Sequence, residues 1–314
     1  MATRFELVLP GEDAVRLRAA GEEALEEIVQ WEAELSLYRP SSEVAKINRE
    51  AARAPVRVSP PVFELLQQCR ELWRLSDGAF DITVAPLVRA WGFMTGKGRA
   101  ASPEEVAAAR ASVGMAHLEL DSDRRTVRFT RPGVMLDLGA VGKGYAVDRA
   151  IETLRELGVT RAFLHGGTSS CYGLGVAPGG TPWRVAVKAE ELFPETDASP
   201  SAGAPLTVVS LRDAALSVSG VRDKAIRVGG RLLGHVIDPR TGAPVTGALL
   251  AAVTGRSAAE TDALSTALLV DGAPGGRAMA EQRPDMGWFC AARGTSGETR
   301  CVRHHWPAVN PRDS

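Results

Sequence analysis

LDLGAVGKGYAVDRA, residues 136–150, is the stretch from which the fold can be predicted. A strand-like run ends at Gly139–Ala140, and Gly142-Lys143-Gly144 then opens a helix predicted over residues 142–157. Backbone N–H groups at a helix start favour a phosphate, and the charge of Lys143 strengthens that preference. The stretch matches neither the Walker motif nor GxGxxG. A Gly-rich turn with a purely structural role is an equally good interpretation.

Helix-like and strand-like segments are mixed on both sides of this stretch. Apolar residues that recur every three or four positions predict helices over residues 12–35, from Pro60 onward and over residues 257–270. Strands are predicted for residues 3–9, 56–58, 117–121, 126–130, 161–167, 183–188, 206–211 and 225–228, and for two segments within 286–303. This mixture predicts an α+β or mixed α/β fold.

The 314 residues are predicted to form a single domain, 1–314. Residues 189–205 are rich in Pro, Ala and Ser and are predicted to be a mobile loop. Related motifs lie on both sides of it, which argues against a domain linker. Residues 304–314 are predicted to be a loosely held tail.

Composition and charge exclude several classes of protein. Lys plus Arg number 37 and Asp plus Glu number 38, so the net charge is -1 and nucleic acid is not an expected partner. The four cysteines form no CxxC pair, which argues against a thiolate zinc site. No basic stretch followed by a long apolar run begins the chain, and no apolar run reaches about 18 residues. We therefore expect a cytoplasmic protein, or an exported one if the sequence is part of a longer chain.

GAFDITVAPLVRAWGF, residues 78–93, combines small residues with aromatic and polar ones. Asp81 and Thr83 offer an acceptor and a hydroxyl beside Phe80, Trp91 and Phe93. Such a set can hold a flat heterocycle and hydrogen-bond its edge. The alternative is an Asx-type turn next to a core aromatic cluster, which the residue types alone favour.

Two further segments could take part in binding or acid–base chemistry. In HGGTSSCYGLG, residues 165–175, paired glycines let the backbone approach a ligand, although a tight turn with a bulge explains them equally well. In HVIDPRTGAPV, residues 235–245, His235 could act as a base near neutral pH. A lone histidine beside a turn is more often structural.

ETDALSTALLV, residues 260–270, places Asp262 and Thr266 one helical turn apart on one face. A carboxylate beside a hydroxyl suits a hard cation such as Mg²⁺, which binds oxygen ligands and is usually bound to a phosphate. The alternative is helix capping, with an acidic residue favoured in the first turn. The residues by themselves favour capping.

Taken in order, these segments resemble the FAD:protein FMN transferase family, the ApbE-type flavin transferases. The resemblance runs from Met1 to about residue 272 and includes LSLYRPSSEVAKIN, residues 35–48. It implies a core of two related α/β halves with the flavin between them. It also implies protein flavinylation: FMN moves from FAD to a Ser or Thr of an acceptor protein, AMP is released, and Mg²⁺ is the cofactor. Flavin-carrying subunits of membrane electron-transfer complexes are the typical acceptors.

The resemblance also assigns roles to single residues, by position in the matched motifs. Ala140, through its backbone carbonyl, Asp262 and Thr266 would hold the metal, and His235 is the candidate base. The FAD contacts would come from Tyr38, Ala79, Phe80, Asp81, Asp137, Lys143 and Ile237. The chain departs from the commoner family pattern at Gly142, Thr168 and Thr261, which usually are Ala, Asp and Ala.

Two other functions fit the same residues. An FAD pyrophosphatase would use water in place of the acceptor hydroxyl and give FMN and AMP. A protein that binds FAD without turnover would have little need for the oxygen ligands at Asp262 and Thr266.

Overall fold

The computed structural model describes residues 3–95, 98–188, 205–221, 225–228, 231–294 and 298–309. The chain divides into two compact units. The sheet unit comprises Met1–Trp31, Val141–Gly220 and Gly247–Ser314, and the helical unit comprises Glu32–Ala140 and Val221–Thr246. Each unit contains both helices and strands, which confirms the mixed α/β class. The single domain predicted for residues 1–314 stays a prediction.

The elements are numbered in chain order. The helices are α1 (Ala14–Leu35), α2 (Glu43–Glu50), α3 (Pro60–Leu75), α4 (Ala85–Ala90), α5 (Pro103–Arg110), α6 (Gly142–Glu156) and α7 (Ala258–Gln282). The strands are β1 (Phe5–Val8), β2 (Val56–Arg57), β3 (Leu118–Asp121), β4 (Thr126–Phe129), β5 (Ala162–Gly166), β6 (Ser170–Leu174), β7 (Trp183–Lys188), β8 (Pro205–Leu211), β9 (Ala214–Gly220), β10 (Ile226–Val228), β11 (Arg231–Leu233), β12 (Ala248–Gly255), β13 (Gly287–Arg293), β14 (Thr299–His304) and β15 (Ala308–Val309).

The sheet unit is built on a seven-stranded antiparallel sheet in the order β1-β5-β6-β9-β12-β13-β14. Successive side chains of a strand point to opposite faces. Tyr172 of β6 therefore packs in one apolar cluster with α6, whereas its neighbour Cys171 packs in another with Val209 of β8. Helices thus cover one face, and the small sheet β15-β8-β7 covers the other.

Helix α7 folds back on itself. Gly272 has a φ of 64° within it, a conformation that glycine adopts without strain, and Pro274 follows. The Arg283 guanidinium lies 2.9 Å from the carboxylate of Glu260. A straight helix rising about 1.5 Å per residue would hold these residues about 34 Å apart. The helix predicted over 257–270 is therefore the first arm of a helical hairpin.

The helical unit contains α2 to α5, a three-stranded antiparallel sheet ordered β2-β4-β3, and the β10-β11 ribbon. Helix α3 begins with Pro60, as predicted, because a missing N–H costs nothing in a first turn. Its apolar stripe is buried at Val62, Leu65 and Leu66. The paired strands predicted at 117–121 and 126–130 are β3 and β4, which pair antiparallel.

The predicted loop and tail have different outcomes. Residues 189–204 of the loop lie outside the described residues, and Pro205 already belongs to β8. Part of the predicted tail is held in place, since β15 pairs with β8 and the Trp306 indole N–H donates to the Thr207 hydroxyl at 3.1 Å. Residues 310–314 lie outside the described residues. No helix in the described part of the chain is both long and apolar enough to cross a membrane.

Candidate functional site

Asp262 lies in the second turn of α7, and its carboxylate is surrounded by donors from the same unit. The residue is 3% exposed. The Ser170 hydroxyl donates to Oδ1 at 3.1 Å, and the Gly144 N–H donates to Oδ2 at 3.1 Å. A buried carboxylate is costly unless such partners compensate for lost water. Several groups of the sheet unit therefore stabilise the Asp262 carboxylate in its buried position.

Lys143 supplies the positive charge beside this carboxylate. Its ammonium lies 3.3 Å from Oδ2 and 3.5 Å from Oδ1 of Asp262. A close charge-assisted contact is about 2.7–2.9 Å, so this pairing is loose. The Lys143 side chain is 20% exposed, against 4% for that of Asp262. The ammonium is thus the more exposed partner of the pair.

Thr266 lies one turn after Asp262 in α7, as the sequence predicted. Its hydroxyl donates to the backbone carbonyl of Asp262 at 3.2 Å and lies 3.3 Å from the Ser219 hydroxyl. Ser219, on β9, also contacts the Ser265 hydroxyl at 2.9 Å. Hydroxyl oxygens therefore lie between α7 and β9, one helical turn after Asp262.

The starts of α6 and α7 approach closely at Gly144. A Cβ on this residue would lie 2.0 Å from the Ala258 carbonyl oxygen, so only glycine fits. From α6, the Asp148 carboxylate reaches the start of α7 and accepts from the Ser257 hydroxyl at 2.7 Å. It also accepts from the N–H groups of Ala258 and Ala259 at 2.7 and 2.9 Å. Burial raises the pKa of Asp148 from 3.8 to about 6, against the opposing effect of these hydrogen bonds.

In the helical unit, Asp81 forms the Asx-type turn that was the alternative interpretation of its motif. Its Oδ1 accepts from the Thr83 N–H at 2.7 Å and from the Thr83 hydroxyl at 2.5 Å. Its Oδ2 accepts from the Met115 N–H at 3.2 Å, and burial raises its pKa. Ala79 and Phe80 are also buried. A ligand contact from this run would therefore involve the backbone, and the predicted FAD contacts stay predictions.

Tyr38 and Asp137 lie within electrostatic reach of each other in the helical unit. Tyr38 is 70% exposed. Even so, partial desolvation raises the pKa of its phenol, and the negative charge of Asp137 raises that pKa further. Asp137 accepts from the Gly139 N–H at 2.8 Å. An exposed aromatic ring near a carboxylate is the part of the predicted FAD set that could contact a ligand directly.

His235 is half-buried in the loop after β11. The polar residues that follow it close a tight turn: Asp238 accepts from the N–H and guanidinium of Arg240 at 2.9 to 3.2 Å. The turn places Ile237, which is buried, in a bridge with Pro244. The polar residues that follow His235 are therefore explained by the turn that they form.

The predicted metal donors are a carboxylate, a hydroxyl and a carbonyl. Asp262 and Thr266 adjoin in the sheet unit, and Ala140, half-buried, is the last residue of the helical unit before α6. Among the described residues, no three His, Cys, Asp or Glu side chains are grouped as a metal site would require. The predicted donors are of a different kind, since only Asp262 is of those residue types.

One departure from the family pattern has a structural explanation. The Thr261 side chain is buried, and its hydroxyl lies 3.0 Å from that of Ser217 and 3.1 Å from the Ala258 carbonyl. The extra hydroxyl thus has partners within the sheet unit. Thr168 is exposed beside Gly167, whose φ is 62°.

Three residues of the site were not singled out in the sequence: Asp148, Ser170 and Ser219. Asp148 follows Gly144 by four positions, so the two share a helix face. A glycine and an aspartate on one face could have indicated a close approach to another helix start. Ser170 and Ser219 gave no usable signal, because their strands are rich in small residues that resemble turns.

Known proteins resemble this chain over most of its length. A model of the ApbE family matches residues 1–289. An FAD:protein FMN transferase of Escherichia coli strain K12 is 31% identical over 278 residues, covering 87% of this chain and 76% of that protein. The apo flavinyl transferase ApbE of Pseudomonas stutzeri superposes with a TM-score of 0.79 and 29% identity, covering 96% of this chain and 95% of that one. An ApbE protein of Thermotoga maritima, 24% identical, shares the fold with a TM-score of 0.81 over 95% of this chain and 96% of its own. These matches confirm the resemblance found in the motifs, and the chain belongs to the ApbE family.

Proposed function

We propose that this chain transfers FMN from FAD to a Ser or Thr hydroxyl of an acceptor protein and releases AMP. The observation that carries the proposal is the buried carboxylate of Asp262, held beside Lys143 and one turn before the Thr266 hydroxyl. The relatives that bear the name FAD:protein FMN transferase support the same reaction.

The reaction is a displacement at the phosphorus that carries riboflavin. The acceptor oxygen forms a new P–O bond, the bond between that phosphorus and the bridging oxygen breaks, and AMP leaves with the bridging oxygen. The hydroxyl proton passes to a base, for which His235 is the candidate. General base catalysis of this kind contributes about 10²–10⁴-fold. Water in place of the hydroxyl would give FMN and AMP, the pyrophosphatase alternative.

The donor atoms of the sheet unit fit Mg²⁺, because the carboxylate and hydroxyl oxygens at Asp262 and Thr266 are the ligand types it prefers. The Ala140 carbonyl is the third ligand in this proposal. When bound, Mg²⁺ supplies positive charge that stabilises the pyrophosphate and the departing AMP. The loosely paired ammonium of Lys143 can turn toward a phosphate while Gly144 and Ser170 keep their bonds to Asp262.

We propose that the FAD contacts come from residues of the helical unit and from Lys143. The exposed Tyr38 ring offers an apolar face to a flat heterocycle. The proposed set is completed by the backbone of Ala79, Phe80 and Asp81 and by the region of Asp137 and Ile237. The acceptor is a protein with an exposed Ser or Thr.

The test is mass spectrometry of candidate acceptors, flavin-carrying subunits of membrane electron-transfer complexes, after incubation with this protein, FAD and Mg²⁺. A covalent FMN adduct is the expected result. Asp262→Asn keeps the shape of the side chain but loses the negative charge, and we expect adduct formation to fall by about 10²–10³-fold. Adduct formation at the wild-type rate by this variant would refute the metal assignment.

Asp285→Asn is the matched control, since it removes a more exposed carboxylate of the same unit that pairs with Arg283. This variant should transfer FMN at the wild-type rate. Release of AMP from FAD without any acceptor, at the rate seen with acceptor, would favour the pyrophosphatase instead. FAD that stays intact in every mixture would indicate binding without turnover.

A further inference from the structure

The starts of α6 and α7 are capped by each other's carboxylates. Val141, at the N-cap of α6, makes no side-chain cap hydrogen bond, and the Gly144 N–H donates to Asp262 of α7 instead. In return, Asp148 of α6 accepts from the N–H groups of Ala258 and Ala259, the first two residues of α7. Each helix therefore depends on the other for groups that helix starts leave unsatisfied.

The two caps are geometrically coupled. They lie on either side of the contact where Gly144 meets the Ala258 carbonyl, at a separation too short for any Cβ. If α7 moved away from Asp148, the same movement would carry Asp262 away from the Gly144 N–H. Ser257 strengthens the Asp148 cap, because its hydroxyl donates to that carboxylate and accepts from the Glu260 N–H at 3.2 Å.

We propose that Asp148 is a positioning residue for the metal site. It holds the first turn of α7 against α6 and so fixes the carboxylate of Asp262, without contacting the substrate or the metal itself. This inference rests on the proposed function, because it assumes that Asp262 binds the cation.

Asp148→Asn keeps the size of the side chain but replaces one acceptor oxygen by an NH₂ group. It therefore tests the hydrogen bonds of Asp148 separately from its packing. Three donors point at the two carboxylate oxygens, at 2.7, 2.7 and 2.9 Å. An amide has only one oxygen, so its NH₂ group must face a donor. Ser257 can turn to accept from it, but a backbone N–H cannot, so at least one backbone donor loses its partner.

The first measurement is amide hydrogen exchange at Gly144, whose N–H is bonded to Asp262 and not to Asp148. If the caps are coupled, Asp148→Asn should speed this exchange by about tenfold. The loss of a helix cap typically corresponds to a change of about 2- to 30-fold. Ser257→Ala removes one of the three donors and keeps the carboxylate. It should produce a smaller change in the same direction, and it tests the coupling if Asp148→Asn does not fold.

The second measurement is the affinity for Mn²⁺, a spectroscopic substitute for Mg²⁺, by electron paramagnetic resonance. Asp148→Asn should weaken binding by about tenfold, the same loss of cap that the exchange reports. Val209→Ala is the control: it opens a cavity in the apolar cluster on the opposite face of the seven-stranded sheet and lowers stability without touching either helix start. This control should keep wild-type Mn²⁺ affinity and wild-type exchange at Gly144.

The outcomes separate this inference from the proposed function. If Asp148→Asn matches Val209→Ala in both measurements while the wild type transfers FMN, the positioning role is overturned and the function stands. A wild type that binds Mn²⁺ with the predicted dependence on Asp148, yet transfers no FMN, contradicts the function alone. A wild type that binds no Mn²⁺ contradicts both.

Discussion

Gly144→Ala tests the contact on which the geometry of the sheet-unit site depends. The added Cβ would lie 2.0 Å from the carbonyl oxygen of Ala258, 2.4 Å from its carbon and 2.7 Å from the Ala259 nitrogen. All three are backbone atoms, which cannot turn aside as a flexible side chain would. Ordinary contact begins at 3.4 Å, so the two helix starts must separate by 3.4 minus 2.0, or 1.4 Å.

The cost of this separation follows from the contacts it breaks. Overpacking a well-packed contact costs about 1–3 kcal/mol. The hydrogen bond from Gly144 to Asp262, now 3.1 Å, would open, and the Asp148 cap would weaken with it. Each lost cap costs about 0.5–2 kcal/mol. Alanine in a helix recovers at most about 1 kcal/mol relative to glycine. The expected net loss of unfolding free energy is therefore about 3 kcal/mol.

Urea unfolding followed by circular dichroism measures this loss. Gly247→Ala is the matched control, because a Cβ at Gly247 would meet nothing within 4 Å and the residue is exposed. That variant should stay within about 0.5 kcal/mol of the wild type. If Gly144→Ala were as stable as Gly247→Ala, the two helix starts would not be in contact in solution, and the coupled caps would fail with them.

Two further predictions concern single titratable groups. His235→Gln should leave FAD affinity unchanged and slow FMN transfer by about 10²–10⁴-fold if this residue is the base; a variant with normal transfer but lower stability would show a structural role. Because burial raises the pKa of Asp148 from 3.8 to about 6, the folded chain binds more protons than the unfolded chain between these values. The contribution of Asp148 to stability should thus fall by about 2 kcal/mol as the pH rises from 4 to 7. The difference in unfolding free energy between wild type and Asp148→Asn, from urea titrations, should shrink over this range. A difference that grows with pH would mean that the three hydrogen bonds outweigh desolvation.

The sequence predicted the elements whose signals are local. The helix predicted over 142–157 is α6, Gly142–Glu156, because its apolar positions repeat with the helical period. The strand pair β3 and β4 was also predicted, since alternation and a polar turn define it. The helical spacing of Asp262 and Thr266 was predicted for the same reason, since the two residues do lie one turn apart in α7, and their role as metal ligands stays a prediction.

The central strands β6, β9 and β12 were missed. Their sequences SCYGL, AALSVSG and ALLAAVTG are rich in small residues, which have weak strand preference. These strands need small residues because other groups pack closely on them: a Cβ at Gly173 would lie 2.9 Å from the Trp183 ring. Such a requirement comes from tertiary packing and cannot be inferred from local pattern.

The role of Asp148 was missed for a similar reason. It lay within the first motif, but its partners are 109 to 111 residues away in the chain. For Asp262, the sequence posed capping and metal binding as alternatives. The structure shows that the carboxylate does cap a helix, but it caps α6 and not its own helix.

Capping and metal binding at Asp262 are compatible because its donors are unequal. Gly144 and Ser170 are buried, each holds one carboxylate oxygen at 3.1 Å, and neither donor carries a charge. Lys143 is more exposed and its contacts are longer, so its displacement by a cation would cost least. A neutral donor on each oxygen fixes the direction of the carboxylate and leaves its negative charge available to the proposed cation. The proposed cation would therefore meet a carboxylate that neutral hydrogen bonds already orient, and its binding would not require the two helix starts to move.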